Sequence, residues 1–303
     1  MSANTISTKG AVVITGASTG IGKVCALYLD RLGFRIFAGV RRDEDGNVLR
    51  GEASDRLTPV FIDITDSASI DSALKFVSGE VGGAGLAGLV NNAGISVGGL
   101  LEFQPIAEIR RQLEVNVIGH IAVTQAFLPL LRKDHGRIVN MGSIAGRMPQ
   151  PYLGPYSASK AALEAIMDSL RMELRPSKIP VSIIEPGVVY TPMWEKARIR
   201  AHVIVENFPQ EVFDLYGSDI SAVTKVLENK EKIQKAAVSA DVVAKAVAHA
   251  LTAKKPKTRY VIGWDAKFGV FLSRFLPDRL LDWLTMIFWR ELGLKKTTQD
   301  IGS

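Results

Sequence analysis

A short apolar run, Ala11-Val-Val-Ile-Thr15, leads directly into Gly16-Ala-Ser-Thr-Gly20-Ile-Gly22 and then into a helix-like stretch, Lys23 to Leu32, that ends at Gly33. Strand, glycine-rich turn and helix in that order leave unblocked backbone amides at the end of a strand, where the helix dipole favours an anion. Side chains at the glycine positions would fill the space that a pyrophosphate needs. The spacing Gly-x-x-x-Gly-x-Gly differs from the commoner Gly-x-Gly-x-x-Gly fingerprint. Lys23 follows Gly22, but the Lys-Ser/Thr pair of a triphosphatase loop does not.

The rest of the chain repeats the strand-then-helix theme. Runs at 12–15, 35–40, 59–63, 88–91, 136–141, 181–185 and 259–262 predict strands, most of them continuously apolar, as parallel strands covered on both faces require. Helical spacing predicts helices at about 20–32, 67–78, 106–132, 155–175 and 240–252. On the fourth, Leu163, Ile166, Leu170 and Leu174 mark the apolar face and Pro176 the end. An α/β, doubly wound sheet follows, because parallel strands need crossovers, and its ligands bind outside the carboxyl ends of the strands. No linker, repeat or low-complexity stretch divides the 303 residues, so 1–303 reads as one domain.

The chemistry sits farther along. Tyr156 and Lys160, in Pro155-Tyr-Ser-Ala-Ser-Lys160, share a helix face, and an ammonium beside a phenol favours loss of the phenol's proton. A lone Tyr-x-x-x-Lys is weak evidence, since a surface tyrosine under a lysine stem gives the same pattern. Here Ser143 precedes it at the end of the β-like run Val139-Asn-Met-Gly-Ser143, where its hydroxyl can point toward the tyrosine.

Four blocks in order, Thr15 to Gly22, Asn91-Asn-Ala-Gly94, Ser143 with Tyr156 and Lys160, and Pro186-Gly187 followed by Thr191, resemble the short-chain dehydrogenase/reductase family over most of the chain. The glycine spacing resembles the simple rather than the extended type. Lys257-Thr-Arg-Tyr-Val-Ile-Gly-Trp-Asp-Ala-Lys267 resembles the retinol dehydrogenase and 17β-hydroxysteroid dehydrogenase branch. The resemblance implies a Rossmann fold with a seven-stranded, mostly parallel sheet and helices on both faces. It divides the chain into a dinucleotide-binding and catalytic core (8–190), a substrate lid (191–238), a last helix and strand (239–263) and a C-terminal apolar extension (264–303).

It also implies roles. Tyr156 would be the acid/base, Lys160 would lower its pKa and hold the nicotinamide ribose, Ser143 would hydrogen-bond the substrate oxygen, and Asn116 would hold a water linking Lys160 to solvent. The cofactor would lie against Gly16, Ser18, Thr19, Gly20, Ile21 and Gly22; against Asp63 and Ile64; against Asn91, Asn92, Ala93 and Gly94; and against Pro186, Gly187, Val189 and Thr191, besides Tyr156 and Lys160. After the second strand comes Arg41-Arg42 instead of the carboxylate that binds a free ribose, which points to NADP, with NAD the alternative. Arg41 resembles the phosphate-binding arginine of hydroxysteroid dehydrogenases; the opposing reading is a solvated pair neutralised by Asp43, Glu44 and Asp45.

The expected activity is interconversion of a hydrophobic alcohol and its ketone or aldehyde, retinoid-, steroid- or lipid-like. A lid carrying Trp194, Ile199, Val203, Ile204, Val205, Phe208, Phe213, Leu215 and Tyr216 suits such a substrate, although packing of the insertion on itself explains several of these residues equally well. The alternative from another class is a non-catalytic dinucleotide-binding redox sensor, against which the intact Asn116, Ser143, Tyr156 and Lys160 argue.

Composition narrows the rest. A single cysteine, Cys25, excludes an intramolecular disulfide, and four histidines without ligand spacing give no metal site. Net charge +6 is dispersed, with no nucleic-acid motif. The polar N-terminus, Met1 to Gly10, is not a signal or anchor, so a cytoplasmic location is expected, and the family suggests a homodimer or homotetramer. Phe268 to Leu276 and Leu280 to Trp289 are apolar but shorter than the ~18–20 residues of a spanning helix. They dock on protein or a partner subunit, or make peripheral membrane contact through 268–290 with Arg274, Arg279, Arg290, Lys295 and Lys296 toward headgroups.

Overall fold

Seven strands, β1 (Ala11–Ile14), β2 (Arg35–Val40), β3 (Leu57–Phe61), β4 (Gly88–Asn91), β5 (Arg137–Met141), β6 (Val181–Pro186) and β7 (Arg259–Ile262), form one sheet in the order β3-β2-β1-β4-β5-β6-β7. Every neighbouring pair is parallel. The computed structural model describes residues 9–292; the polar segment 1–8, Lys295 and Lys296 lie outside the described residues. Each strand matches its expected position within one or two residues. The differences fall at strand ends, where hydrogen bonding stops before the apolar pattern does.

The helices are α1 (Gly20–Arg31), α2 (Asp43–Glu52), α3 (Ser67–Val81), α4 (Ile106–Leu113), α5 (Gly119–Lys133), α6 (Gly154–Glu173), α7 (Pro192–Glu206), α8 (Gln210–Glu228), α9 (Lys230–Ala236), α10 (Ala240–Thr252), α11 (Trp264–Phe275) and α12 (Asp278–Leu292). Alternate side chains of each strand serve opposite faces. Val12, Ile14, Ile36 and Ala38 meet Cys25, Leu29, Val243 and Val247 on the α1 and α10 side. Val13, Phe37, Leu89 and Ile138 meet Ile70, Val77, Phe127 and Leu163 on the α3, α5 and α6 side. Cys25 is a core residue, and burial pushes its thiol up to about 12, so it is unreactive.

Two elements depart from expectation. The helix α2 was not foreseen because Gly46 and Asn47 weaken its pattern; Asp43, Glu44 and Asp45 in its first turn complement the helix dipole instead. The helix foreseen at 106–132 is interrupted by a π turn, Glu114–Ile118, between α4 and α5. Ile106–Lys133 is also the one helical run among the described residues long and apolar enough by composition to cross a membrane. It lies against the sheet with Gln112, Asn116 and His120 buried.

Because β1 and β4 are adjacent while their following connections go to opposite faces, a crevice opens at their carboxyl ends.

Candidate active site

The floor of this crevice is the glycine turn. Gly16 and Gly20 take positive φ of 65° and 58°, and a Cβ at Gly16 would lie 2.7 Å from the Ala93 Cα. At Gly22 a Cβ would lie 2.3 Å from both the Asn92 side-chain nitrogen and the Gly16 carbonyl oxygen. Thr19 caps α1 with extended backbone but no side-chain hydrogen bond, and no acidic residue occupies the first turn, so the helix-end amides remain available to an anion. Ser18 and Thr19 lie on the open side of the turn, whereas Ile21 leans on the core.

Side chains lock this turn to the end of β4. Thr15 Oγ1 accepts from the Asn92 and Ala93 amides at 3.0 and 3.1 Å, and Asn92 Nδ2 donates to the carbonyls of Thr15 and Gly16. Asn91 serves the interior: its amide donates to Thr124 and Asn140, tying β4 to α5 and β5. The segment after β6 closes the turn from the other side. Gly187 pairs with Ile262, Val189 O accepts from Trp194 Nε1 at 2.9 Å, and the Thr191 side chain stands where a Cβ on Gly20 would meet it at 3.2 Å.

A groove of about 520 Å³ beside β2 and β3 is lined by Arg41, Asp63, Thr65, Ile95, Arg110, Arg111, Glu114 and Val115. The Arg41 side chain is 65% exposed there, 4.0 Å from Asp63. Arg42 is drawn away by two hydrogen bonds to Asp45 at 3.0 and 3.1 Å, one turn into α2. Burial pushes the Asp63 carboxyl up, but hydrogen bonds from Thr65 and the charge of Arg41 together hold it below the usual range. Ile64 is buried, its carbonyl against Gly119. Arg110 and Arg111 were not foreseen, since only the fold brings α4 to the end of β3.

The residues expected to carry the chemistry lie on the far side of Gly94. A Cβ at Gly94 would lie 3.3 Å from Asn116 Oδ1 and 4.0 Å from Lys160 Nζ. Lys160 is buried, donates to Met141 O at 2.7 Å, and holds its Nζ 5.8 Å from the Tyr156 ring centroid. Ser143 Oγ accepts from the Ala145 amide, and its hydroxyl lies near enough to Tyr156 to favour the ionised phenol. Asn116 sits in the π turn. Its Oδ1 accepts from Ile95 N, and its Nδ2 donates to Ile95 O and Ser159 Oγ, so both amide donors are committed within the protein.

Burial raises the Tyr156 phenol above its ordinary value, and the Ser143 hydrogen bond offsets only part of this. Burial also pushes Lys160 down to about 8, against the pull of Glu164. The ammonium therefore does not by itself bring the phenol toward neutral pH, because the same enclosure that brings the two together penalises both charges. His120 is buried nearby; burial and then Lys160 push it down to about 3, leaving it neutral with Nε2 2.6 Å from Ala93 O.

Helices α7 and α8 meet α4 and the segment before it. Phe103 meets Phe208 and Tyr216 with ring centroids 5.9 and 6.1 Å apart, Phe208 meets Phe213 at 6.5 Å, and Arg200 pairs with Glu108. These aromatics pack α8 and the loop before it on the segment around α4, while Ile199, Val203 and Leu215 are exposed. The packing alternative thus accounts for Phe208 and Tyr216. At the other margin α11 rests Gly269 against Met148, in the loop that follows Ser143. Its opposite face leaves Trp264, Phe268, Phe271 and Phe275 exposed.

Comparison with known proteins agrees with this geometry. The profile of the family described as short chain dehydrogenase matches residues 10–201. Retinol dehydrogenase 16 of Mus musculus is 38% identical over 289 residues, covering 94% of this chain and 90% of that protein. The 17-beta-hydroxysteroid dehydrogenase type 6 of Bos taurus is 39% identical over 282 residues, 92% of this chain and 88% of its own. The NADPH-dependent 3-dehydrocapnine reductase of Ornithobacterium rhinotracheale is 37% identical over 294 residues, 95% and 98%. A crystal structure of a short-chain dehydrogenase from Streptomyces avermitilis superposes with a TM-score of 0.71 at 26% identity, covering 95% of this chain and 97% of that one.

Proposed function

The chain belongs to the short chain dehydrogenase family, in its retinol dehydrogenase-like branch, and on that premise we propose that it is an NADP(H)-dependent oxidoreductase of bulky hydrophobic alcohols and their ketones or aldehydes. One observation carries the reading. The segment Asn91 to Gly94 touches the glycine cradle at Ala93 and the Lys160 and Asn116 side chains at Gly94, so phosphate binding and proton transfer share one crevice.

The cradle that a Cβ would fill at Gly16, Gly20 and Gly22 fits a dinucleotide pyrophosphate, and Arg41 above the groove fits an adenosine phosphate. When bound, the nicotinamide supplies or accepts the hydride. The protein handles the proton. Tyr156 gives its proton to the carbonyl oxygen in reduction and takes it from the alcohol in oxidation, while Ser143 donates to the same oxygen and stabilises its developing charge. To serve as a base at neutral pH the phenol must fall roughly two to three units from ~10, or ~3–4 kcal/mol, and burial sets it farther away. Reduction starts from the protonated phenol, and a relative named as an NADPH-dependent reductase supports that direction.

The coenzyme choice rests on Arg41. Arg41→Ala is expected to lower the ratio of kcat/KM for NADPH over NADH by about 10–100-fold, a charge-assisted contact of ~1.5–3 kcal/mol. An unchanged ratio overturns the assignment. The substrate class is tested by a panel of retinoid, steroid and aliphatic carbonyls read by loss of reduced-nicotinamide absorbance. Turnover only of small polar carbonyls contradicts the hydrophobic reading.

The exposed face of α11 bears on location. Trp264, Phe268, Phe271 and Phe275 recur at helical spacing beside Lys267 and Arg274, the layout of a helix lying in an anionic bilayer interface. It adjoins the Ser143 loop, where a lipid-dissolved substrate would arrive. Phe268→Ser with Phe271→Ser is expected to abolish flotation with phosphatidylserine-containing vesicles. Equal flotation of both proteins, or none by either, excludes this face as the contact.

A further inference from the structure

The phosphate that distinguishes NADP(H) from NAD(H) is a monoester carrying about −1.5 to −2 charges at pH 7, more than one guanidinium balances. Arg41 has less than its full charge to offer, because Asp63 stands 4.0 Å from it in the same groove. The other cations beside β2 and the glycine turn are already engaged. Arg42 is held by Asp45, Lys23 donates to Glu52 at 2.7 Å, and Gly16 to Gly22 carries no basic side chain.

The fold brings further positive charge from α4. Arg110 and Arg111, in its last turn, line the same groove of about 520 Å³, inside the ~300–1,000 Å³ range of small-molecule sites. This end of the helix is fastened from its buried side. Gln112, fully buried, accepts from the Val97 amide at 2.7 Å, and Asn116 accepts from Ile95 N and donates to Ile95 O, each at 2.9 Å. Ile95 itself lines the groove. Residues two apart on a helix point to nearly opposite sides, so the burial of Gln112 leaves Arg110 exposed on a fixed support.

The two arginines differ in their commitments. Arg111 lies 3.9 Å from Glu108, which also pairs with Arg200. Arg110 forms no ion pair among the described residues, although Glu114, one turn along, lines the groove as well. The groove thus sets three guanidinium groups against the carboxylates of Asp63 and Glu114, which leaves positive charge in surplus. Arg110 can meet an anion without giving up an existing partner.

We propose that Arg110 is a second determinant of coenzyme specificity, pairing from α4 with the adenosine phosphate that Arg41 binds from the end of β2. The inference rests on the assignment of NADP(H) to this crevice, but its test needs neither nicotinamide nor turnover.

Calorimetric titration of the full-length protein with adenosine 2′,5′-bisphosphate and with adenosine 5′-monophosphate isolates the contribution of the 2′-phosphate. The wild type is expected to favour the bisphosphate. Arg110→Ala is expected to lower that preference about 10-fold, the scale of one charge-assisted contact, with the affinity for the monophosphate held within about twofold. Arg110→Lys, which keeps the charge but not the planar fork, is expected to retain part of the preference. The position is exposed and alanine is a strong helix former, so the variant is expected to fold. An unchanged preference in Arg110→Ala overturns the proposal. So does an equal loss for both nucleotides, which shows contact with the adenosine and not with its phosphate, and so does an equal loss of preference in Arg111→Ala, which shows a diffuse field of the groove. If Arg41→Ala removes the preference and Arg110→Ala keeps it, the NADP(H) reading stands and only this inference falls. A wild type that binds the two nucleotides equally, or neither, sinks the coenzyme reading and the inference together.

Discussion

Tyr156→Phe is expected to lower kcat by about 10²–10⁴-fold, the range contributed by a positioned proton donor, while leaving NADPH affinity unchanged. The phenyl ring keeps the packing of α6 beside the Ser143 turn, and only the hydroxyl is lost. Steady-state turnover with a fluorescence titration of NADPH separates the two effects. A variant that turns over at the wild-type rate removes Tyr156 from the chemistry, and one that loses NADPH binding shows that the hydroxyl holds the coenzyme instead.

The second large effect lies at the cradle. Gly22→Ala places a methyl group 2.3 Å from the Gly16 carbonyl oxygen and 2.3 Å from the Asn92 amide nitrogen. Backbone cannot yield cheaply, so the Asn92 side chain must leave the Thr15 and Gly16 carbonyls it holds, and the turn must reshape. A stability loss of about 1–3 kcal/mol is expected from overpacking alone, with NADPH affinity more than ~10-fold weaker, or at least ~1.4 kcal/mol. Gly51→Ala is the matched control: it lies in α2 with open space around it, and Ala is the better helix former there. Denaturant unfolding and NADPH titration of both variants give the comparison. Undiminished NADPH binding by Gly22→Ala contradicts the cradle.

The positions of the strands and the location of the crevice were legible because parallel strands buried on both faces leave uninterrupted apolar runs, such as Val12 to Ile14 and Val181 to Ile184. The glycine turn, Ser143, Tyr156 and Lys160 were legible for the same reason: each falls just past a strand or on the next helix, and the structure gathers them. What failed was whatever depends on enclosure or on distant neighbours. Spacing told that Tyr156 and Lys160 share a helix face, but the sign of the phenol's shift comes from burial, which a local pattern does not carry. The Arg41-Arg42 pair was separable in principle, since Asp45 stands three residues from Arg42 at the start of a helix, yet that helix was hidden by Gly46 and Asn47. The π turn at Glu114–Ile118 adds one residue to a turn without disturbing the apolar pattern, and it places Asn116 against Ile95 and Ser159. Aromatic content alone did not distinguish residues of the 191–238 segment that pack on Phe103 from those that remain exposed.

The account stands or falls on hydride transfer in the crevice shared by the glycine turn and Tyr156. The direct measurement is a single turnover of the full-length protein with NADPH deuterated at the transferable position and a hydrophobic ketone or aldehyde, followed by mass spectrometry of the alcohol. The account predicts one deuterium on the carbinol carbon with the wild type and none formed by Tyr156→Phe on the same timescale. An alcohol without label, or equal labelling by the two proteins, would contradict it.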